Sequence, residues 1–194
     1  MSIAYYNKNA EEFYNGTVSA DMSETCDKFL KYIAPGGRIL DAGCGSGRDS
    51  LYFIKRGYKV VSFDASEKMV KLSSDLIGQQ TLLMKFDEVD FKDEFDGIWA
   101  CASLLHVPKA EMKDVMRKLI QGLKKNGILY MSFKYGQREE FRGERLFNLY
   151  DEKSLAELIT EVGGLMIIEM FVTQDVRPGR EDESWISCLY KWGI

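Results

Sequence analysis

Two hydrophobic patterns interleave along the chain. Short β-type runs, at the start of RILDAGCGSGRDS, in VVSFDAS, at the start of FDGIWACASLLHVP and in NGILYMSFKYG, read as strands. Between and around them, apolar residues recur every three or four positions. Met112, Val115, Met116, Leu119, Ile120 and Leu123 fall on one helical face, with Lys113, Asp114, Arg117 and Lys118 on the other. That spacing predicts a helix starting near Pro108, a favourable first-turn residue. A second stripe, Leu155, Leu158, Ile159 and Val162, follows Ser154, and a third, Cys26, Phe29, Leu30 and Ile33, precedes the first strand. Strands alternating with helices predict an α/β protein whose mainly parallel, doubly wound sheet carries helices on both faces. The last two strand-like runs, LMIIEMFVT and SWISCLYKW, are joined by a polar stretch without a helix and predict a C-terminal antiparallel hairpin.

Composition narrows the reading. With 194 residues and 45% hydrophobic content, the chain can fill one sizeable core but not comfortably two, so a single domain over residues 1–194 is expected. Residues 1–35 would form an N-terminal helical cap and residues 36–194 the sheet core. The net charge of −4 argues against a long nucleic acid as partner. No apolar run approaches the length of a membrane span, and the N-terminal residues are polar and mixed in charge, so a cytoplasmic location is expected. The oligomeric state is not legible. Cys26, Cys44, Cys101 and Cys188 are scattered, and His106 is the sole histidine, so neither a metal site nor a disulfide framework is expected.

The chemistry concentrates in RILDAGCGSGRDS, Arg38 to Ser50, where a strand ends in an acid and a glycine turn opens a helix. Gly43, Gly45 and Gly47 allow close backbone approach to a ligand, and the amides at the helix start favour electron-rich groups. A P-loop would need Gly-Lys-Ser/Thr, but Gly47 is followed by Arg48 and Asp49. A dinucleotide fingerprint would read G-x-G-x-x-G; here the spacing is G-x-G-x-G, and Asp41 stands two residues before the first glycine. A carboxylate there repels a pyrophosphate and suits an ammonium group. The combination fits S-adenosylmethionine.

At these residues the chain resembles the class I S-adenosylmethionine-dependent methyltransferases, and the likeness continues beyond the turn. VVSFDAS looks like the family's second strand, MKFDEVDF like the end of its third, FDGIWACASLLHVP like its fourth and NGILYMSFKYG like its fifth. The usual Pro-Gly before the fifth strand is replaced by Asn126-Gly127, which can make the same kind of turn. The wording GCGSGRDSLYFIKRGYKV is most similar to small bacterial methyltransferases of the tellurite-resistance type. The resemblance implies a Rossmann-like seven-stranded sheet with S-adenosylmethionine as cofactor. It also implies that Asp41, Ala42, Gly43, Gly45 and Gly47 hold the methionine end and that Asp64 and Ala65 hold the ribose. Phe86 and Asp87 would frame the adenine, with Ala100 and Cys101 along the cofactor.

Loops at the carboxyl ends of parallel strands face the ligand. Here they carry His106, Lys134, Tyr135, Arg138, Arg142, Arg145, Arg177 and Arg180, a set of hydrogen-bond donors that suggests a small, anionic acceptor. Lys134, Tyr135, Arg177 and Arg180 are the candidate acceptor-binding residues. The competing reading is solvated mixed charge, since Glu139, Glu140, Glu144, Asp175, Glu181, Asp182 and Glu183 share those loops. His106 is the candidate catalytic base, or else a hydrogen-bonded corner. Tyr5, Tyr6, Phe13 and Tyr14 in the N-terminal segment suggest a lid, or else a helix covering the sheet. The favoured activity is methyl transfer to a small molecule by in-line displacement. Two alternatives are a non-catalytic S-adenosylmethionine-binding module and an NAD(P)-dependent oxidoreductase.

Overall fold

A computed structural model describes residues 2–177, 179–180 and 182–193. Its centre is a seven-stranded sheet. The strands are β1 (Arg38–Ala42), β2 (Lys59–Asp64), β3 (Leu82–Leu83), β4 (Phe95–Ala100) and β5 (Leu123–Lys134), followed after a small hairpin by β8 (Leu165–Gln174) and β9 (Ser184–Trp192). Their order across the sheet is β3-β2-β1-β4-β5-β9-β8. The pairs among the first five are parallel, whereas β9 runs antiparallel to both β5 and β8. The expected doubly wound sheet and C-terminal hairpin are both present.

Strand pleating explains why both faces are apolar. Successive side chains point to opposite faces, so in β1 Ile39 enters one core and Leu40 the other, and in β4 Trp99 and Ile98 divide the same way. Tyr130 joins Trp99 by stacking on it at 3.9 Å between ring centroids. That face is covered by α3 (Ser23–Leu30), which buries Cys26, Phe29 and Leu30, and by α4 (Arg48–Lys55), which buries Phe53. The opposite face is covered by α6 (Lys109–Gln121) and α7 (Glu152–Val162). The α6 stripe is buried as its spacing requires, and Pro108 is the residue before its first turn. Asp151 caps α7, accepting from the Ser154 amide at 2.8 Å while the Ser154 hydroxyl accepts from the Asp151 amide at 3.0 Å. The remaining sheet helix, α5 (Glu67–Ile77), starts at Ser66, whose hydroxyl accepts from the Met69 amide.

Three local expectations change. Leu123 opens β5 instead of closing the helix before it, and Asn126 takes a positive φ of 66° inside that strand, so the Asn-Gly pair is an irregularity within β5. The third strand is only two residues long, and Phe86 and Asp87 lie beyond it in a single 3₁₀ turn. The segment after β5 is no simple loop: β6 (Glu139–Arg142) and β7 (Arg145–Asn148) pair antiparallel around Gly143, with Arg142 opposite Arg145. The N-terminal segment folds as α1 (Ser2–Lys8) and α2 (Ala10–Thr17). Among the described residues no helix is long and apolar enough to cross a membrane.

Candidate cofactor and acceptor site

The connections from β1 and β4 leave in opposite directions, and a crevice opens at their carboxyl ends, where open α/β sheets bind ligands. The crevice is a cavity of about 1010 Å³, at the upper end of the range for single-ligand pockets and large enough for two partners. Asp41, Gly43, Gly45, Asp64, Ala65, Phe86, Asp87, Cys101, His106, Lys134, Arg177 and Arg180 all line it. Ala42, Gly47 and Ala100 lie behind the lining. Tyr135 is 42% exposed and donates to Glu152 at 2.8 Å, away from the cavity. Glu181 lies outside the described residues.

The glycines of the turn differ in purpose. A Cβ on Gly43 would stand 2.6 Å from that of Ser103, whose hydroxyl donates to the Ala42 carbonyl at 2.7 Å; this glycine lets the β4 loop close onto the β1 turn. A Cβ on Gly47 would stand 2.9 Å from that of Ser73, so its bareness serves the packing of α5. Gly45 faces the cavity and donates its amide to Asp64 at 3.0 Å. The Ser66 amide reaches the other Asp64 oxygen at 2.8 Å. Each oxygen keeps a lone pair for a ligand, and burial raises the carboxyl's pKa despite these bonds.

Asp41 is 2% exposed and accepts from the Ser50 hydroxyl at 2.6 Å. Burial first, then the neighbouring Asp49 charge, pushes it up to about 8. A buried carboxyl of this kind favours a cationic neighbour, which an amino-acid ammonium supplies. Below the turn, Arg48 donates to Asp49 at 2.6 and 2.9 Å, and the Trp99 indole donates to the same carboxylate at 2.9 Å. This network was not read from the sequence, although an acid in the first turn of a helix after a glycine corner is a visible cue. Beyond β3, Phe86 meets Phe63 edge to face at 5.3 Å. Cys101 keeps its proton, its thiol pushed up to about 12 by burial. Next to it, Ala102 takes a φ of 51°, held by a 2.8 Å bond from its amide to the Ser132 hydroxyl; strained backbone of this kind concentrates at functional sites.

His106 is tied at both nitrogens. Nδ1 lies 2.6 Å from the Leu146 carbonyl, which can only accept, so Nδ1 carries the proton. Nε2 then accepts from the Tyr6 hydroxyl at 2.7 Å. Burial lowers the imidazole to about 4, so it is neutral at physiological pH. The ring thereby joins α1, the turn after β4 and β7.

The basic loop residues are largely paired. Lys134 is 4% exposed and donates to Asp175 at 2.9 Å and to Glu183. Arg177 grips the same Asp175 through Nε at 2.8 Å and Nη2 at 2.5 Å, and the Trp185 indole adds a third donor at 3.0 Å. Arg180 pairs with Glu183 at 3.3 Å. Burial alone would raise Asp175, but the bonds from Arg177, Lys134 and Trp185 hold its carboxyl below the usual range. Two of the acids that the sequence set against the anion-pocket reading, Asp175 and Glu183, are thus the direct partners of three of its cations.

The comparisons agree with this geometry. Residues 40–131, from β1 into β5, match the family described as "Methyltransferase domain". An uncharacterized methyltransferase from Staphylococcus carnosus is 22% identical over 77% of this chain and 75% of its own length. Of three other curated methyltransferase relatives, the chain covers only 37% to 51%. The Burkholderia thailandensis 1,6-didemethyltoxoflavin-N1-methyltransferase, solved with its substrate and S-adenosylhomocysteine bound, superposes with a TM-score of 0.81 at 17% identity, over 100% of this chain and 86% of that one. The fold, the glycine turn and the matched segment are similar to those of class I S-adenosylmethionine-dependent methyltransferases. A TehB-like S-adenosylmethionine-dependent methyltransferase from Corynebacterium glutamicum shares the fold, with a TM-score of 0.72 at 18% identity, over 97% of this chain and 98% of that one.

Proposed function

We propose that this chain moves the methyl group of S-adenosylmethionine onto a small acceptor by in-line displacement. The observation that carries the proposal is the pair of carboxyls, Asp41 buried and Asp64 half-buried, at the ends of neighbouring parallel strands, opening with the glycine turn into one cavity. When bound, the cofactor supplies a methyl carbon already activated by a sulfonium. Asp41 would hold its methionine end, directly or through water, against the bare backbone of Gly43, Gly45 and Gly47, whose amides are donated to Phe63, Asp64 and Cys44. Asp64 and Ala65 would hold the ribose, with Phe86 and Asp87 at the adenine. Ala42, Ala100 and Cys101 would supply the strand-end backbone beneath it.

The protein's remaining task is to align the acceptor and exclude water. Tyr6 and Phe13 face into the cavity from α1 and α2, and the Asn7 side chain accepts from the Ser66 hydroxyl at 2.7 Å, fastening these helices over the cofactor corner as a lid. His106 acts as a positioning residue: its only proton is held by a backbone carbonyl, and its free lone pair holds Tyr6. Lys134, Arg177 and Arg180 shape the acceptor wall through their acids, and Tyr135 contributes from outside by bonding α7.

Calorimetric titration with S-adenosylhomocysteine tests the cofactor assignment. Asp64→Ala removes a charged hydrogen-bonding group and is expected to weaken binding by about tenfold to a hundredfold. Unchanged affinity in a folded Asp64→Ala protein would overturn the assignment. Release of S-adenosylhomocysteine in an acceptor panel separates an enzyme from a non-catalytic binding module.

A further inference from the structure

Among the described residues, two cations that line the cavity have no acid within ion-pair distance, the exposed Lys85 and the half-buried Arg145. Arg48, Arg142, Lys134, Arg177 and Arg180 each hold an acid within ion-pair distance. Arg145, the first residue of β7, has no acid partner among the described residues, although it lines the same cavity. Its Nε is sealed from solvent and makes no hydrogen bond. Its guanidinium carbon lies 4.4 Å from the Tyr5 ring centroid and 5.1 Å from that of Phe147. Two aromatic rings thus hold the group in place without neutralising it.

The half-buried guanidinium shares a hydrogen bond with Tyr6 but has no carboxylate to neutralise it, so an oxyanion brought in with a ligand would be favoured there. The planar fork of an arginine matches a planar oxyanion two bonds at a time. Phe147 stands beside it, and Tyr6 and Phe13 face into the same cavity from the two N-terminal helices, so aromatic rings flank it on a wall that also carries the Lys134–Asp175–Arg177 cluster. We infer that Arg145 is the anchor for a carboxylate on the methyl acceptor, and that the acceptor is an aromatic or otherwise flat apolar acid. The inference rests on the methyltransferase reading above and adds its acceptor class. It also transfers the anion-binding role from the Lys134–Arg177–Arg180 cluster, whose three cations each hold Asp175 or Glu183, to a residue of the hairpin.

The test uses protein saturated with S-adenosylhomocysteine and titrated calorimetrically with benzoate, 4-hydroxybenzoate and 2-naphthoate, and with the three matching primary amides. At least one carboxylate is expected to bind at least tenfold more tightly than its amide. Arg145→Met should bring that carboxylate down to the affinity of the amide, and Arg145→Lys, which keeps the charge but not the fork, should recover only part of the difference. S-adenosylhomocysteine binding by each variant reports that the fold and cofactor corner survive. No carboxylate preference in the wild type, or a preference that persists in Arg145→Met, overturns the inference and leaves the methyltransferase reading standing. A wild-type protein that does not take up S-adenosylhomocysteine removes that reading and this inference with it.

Discussion

Replacing Gly47 by alanine separates two reasons for a glycine at the cofactor turn. Gly47 has a φ of 79°, and its added Cβ would lie 2.9 Å from the Ser73 Cβ and 3.2 Å from the Ile77 Cγ2. The left-handed conformation alone costs a non-glycine residue about 1–2 kcal/mol. Forcing a methyl into a packed contact adds about 1–3 kcal/mol. Gly47→Ala should therefore destabilise by about 2–5 kcal/mol. Gly57, with a φ of 85° and nothing within 4 Å of its Cβ position, carries the first term only, so Gly57→Ala should cost about 1–2 kcal/mol. Urea denaturation of both variants, fitted with a common slope, reads the difference. Equal losses would show that α5 does not press on Gly47 and would refute the packing explanation of the third glycine.

Three further outcomes follow from the charges. Asp175→Asn strips Lys134 and Arg177 of a shared buried partner, and breaking such a pair costs about 3–5 kcal/mol; a loss under 1 kcal/mol in urea denaturation would contradict the buried clasp. Because the Asp175 carboxyl is held below its unfolded value near 4, its contribution is complete at neutral pH and fades as acidification proceeds below about pH 4; Asp175→Asn should flatten that limb of the stability profile. His106 is the only histidine, so its NMR titration is unambiguous: the Nδ1–H tautomer should persist down to about pH 5, and a midpoint near 6.5 would contradict its burial. A histidine lowered to about 4 is protonated more readily when unfolded, so its effect is a loss of stability as pH falls from about 6.5 towards 4.

The chain order of its patterns was enough to determine the doubly wound sheet, the position of the glycine turn and the two strand-end acids, Asp41 and Asp64. Those features are local: alternation decides which face a strand residue takes, and a glycine turn after a strand is written in consecutive residues. Even there, the boundary at Leu123 and the brevity of β3 escaped, because a strand's limits depend on its neighbours' lengths. The hairpin of β6 and β7 carried a cue in Gly143 between alternating residues, but the charges around it masked the strands. Which cations were free was decided by tertiary structure alone. Pairing of Lys134 with Trp185 across β5 and β9 brings Asp175, 41 positions along the chain, onto the Lys134 ammonium, and closure of α1 places Tyr6 on His106 across 100 positions. Charge attraction depends on distance in space, which strand register and helix docking set, so a sequence can name the charged residues of a site without revealing which of them cancel.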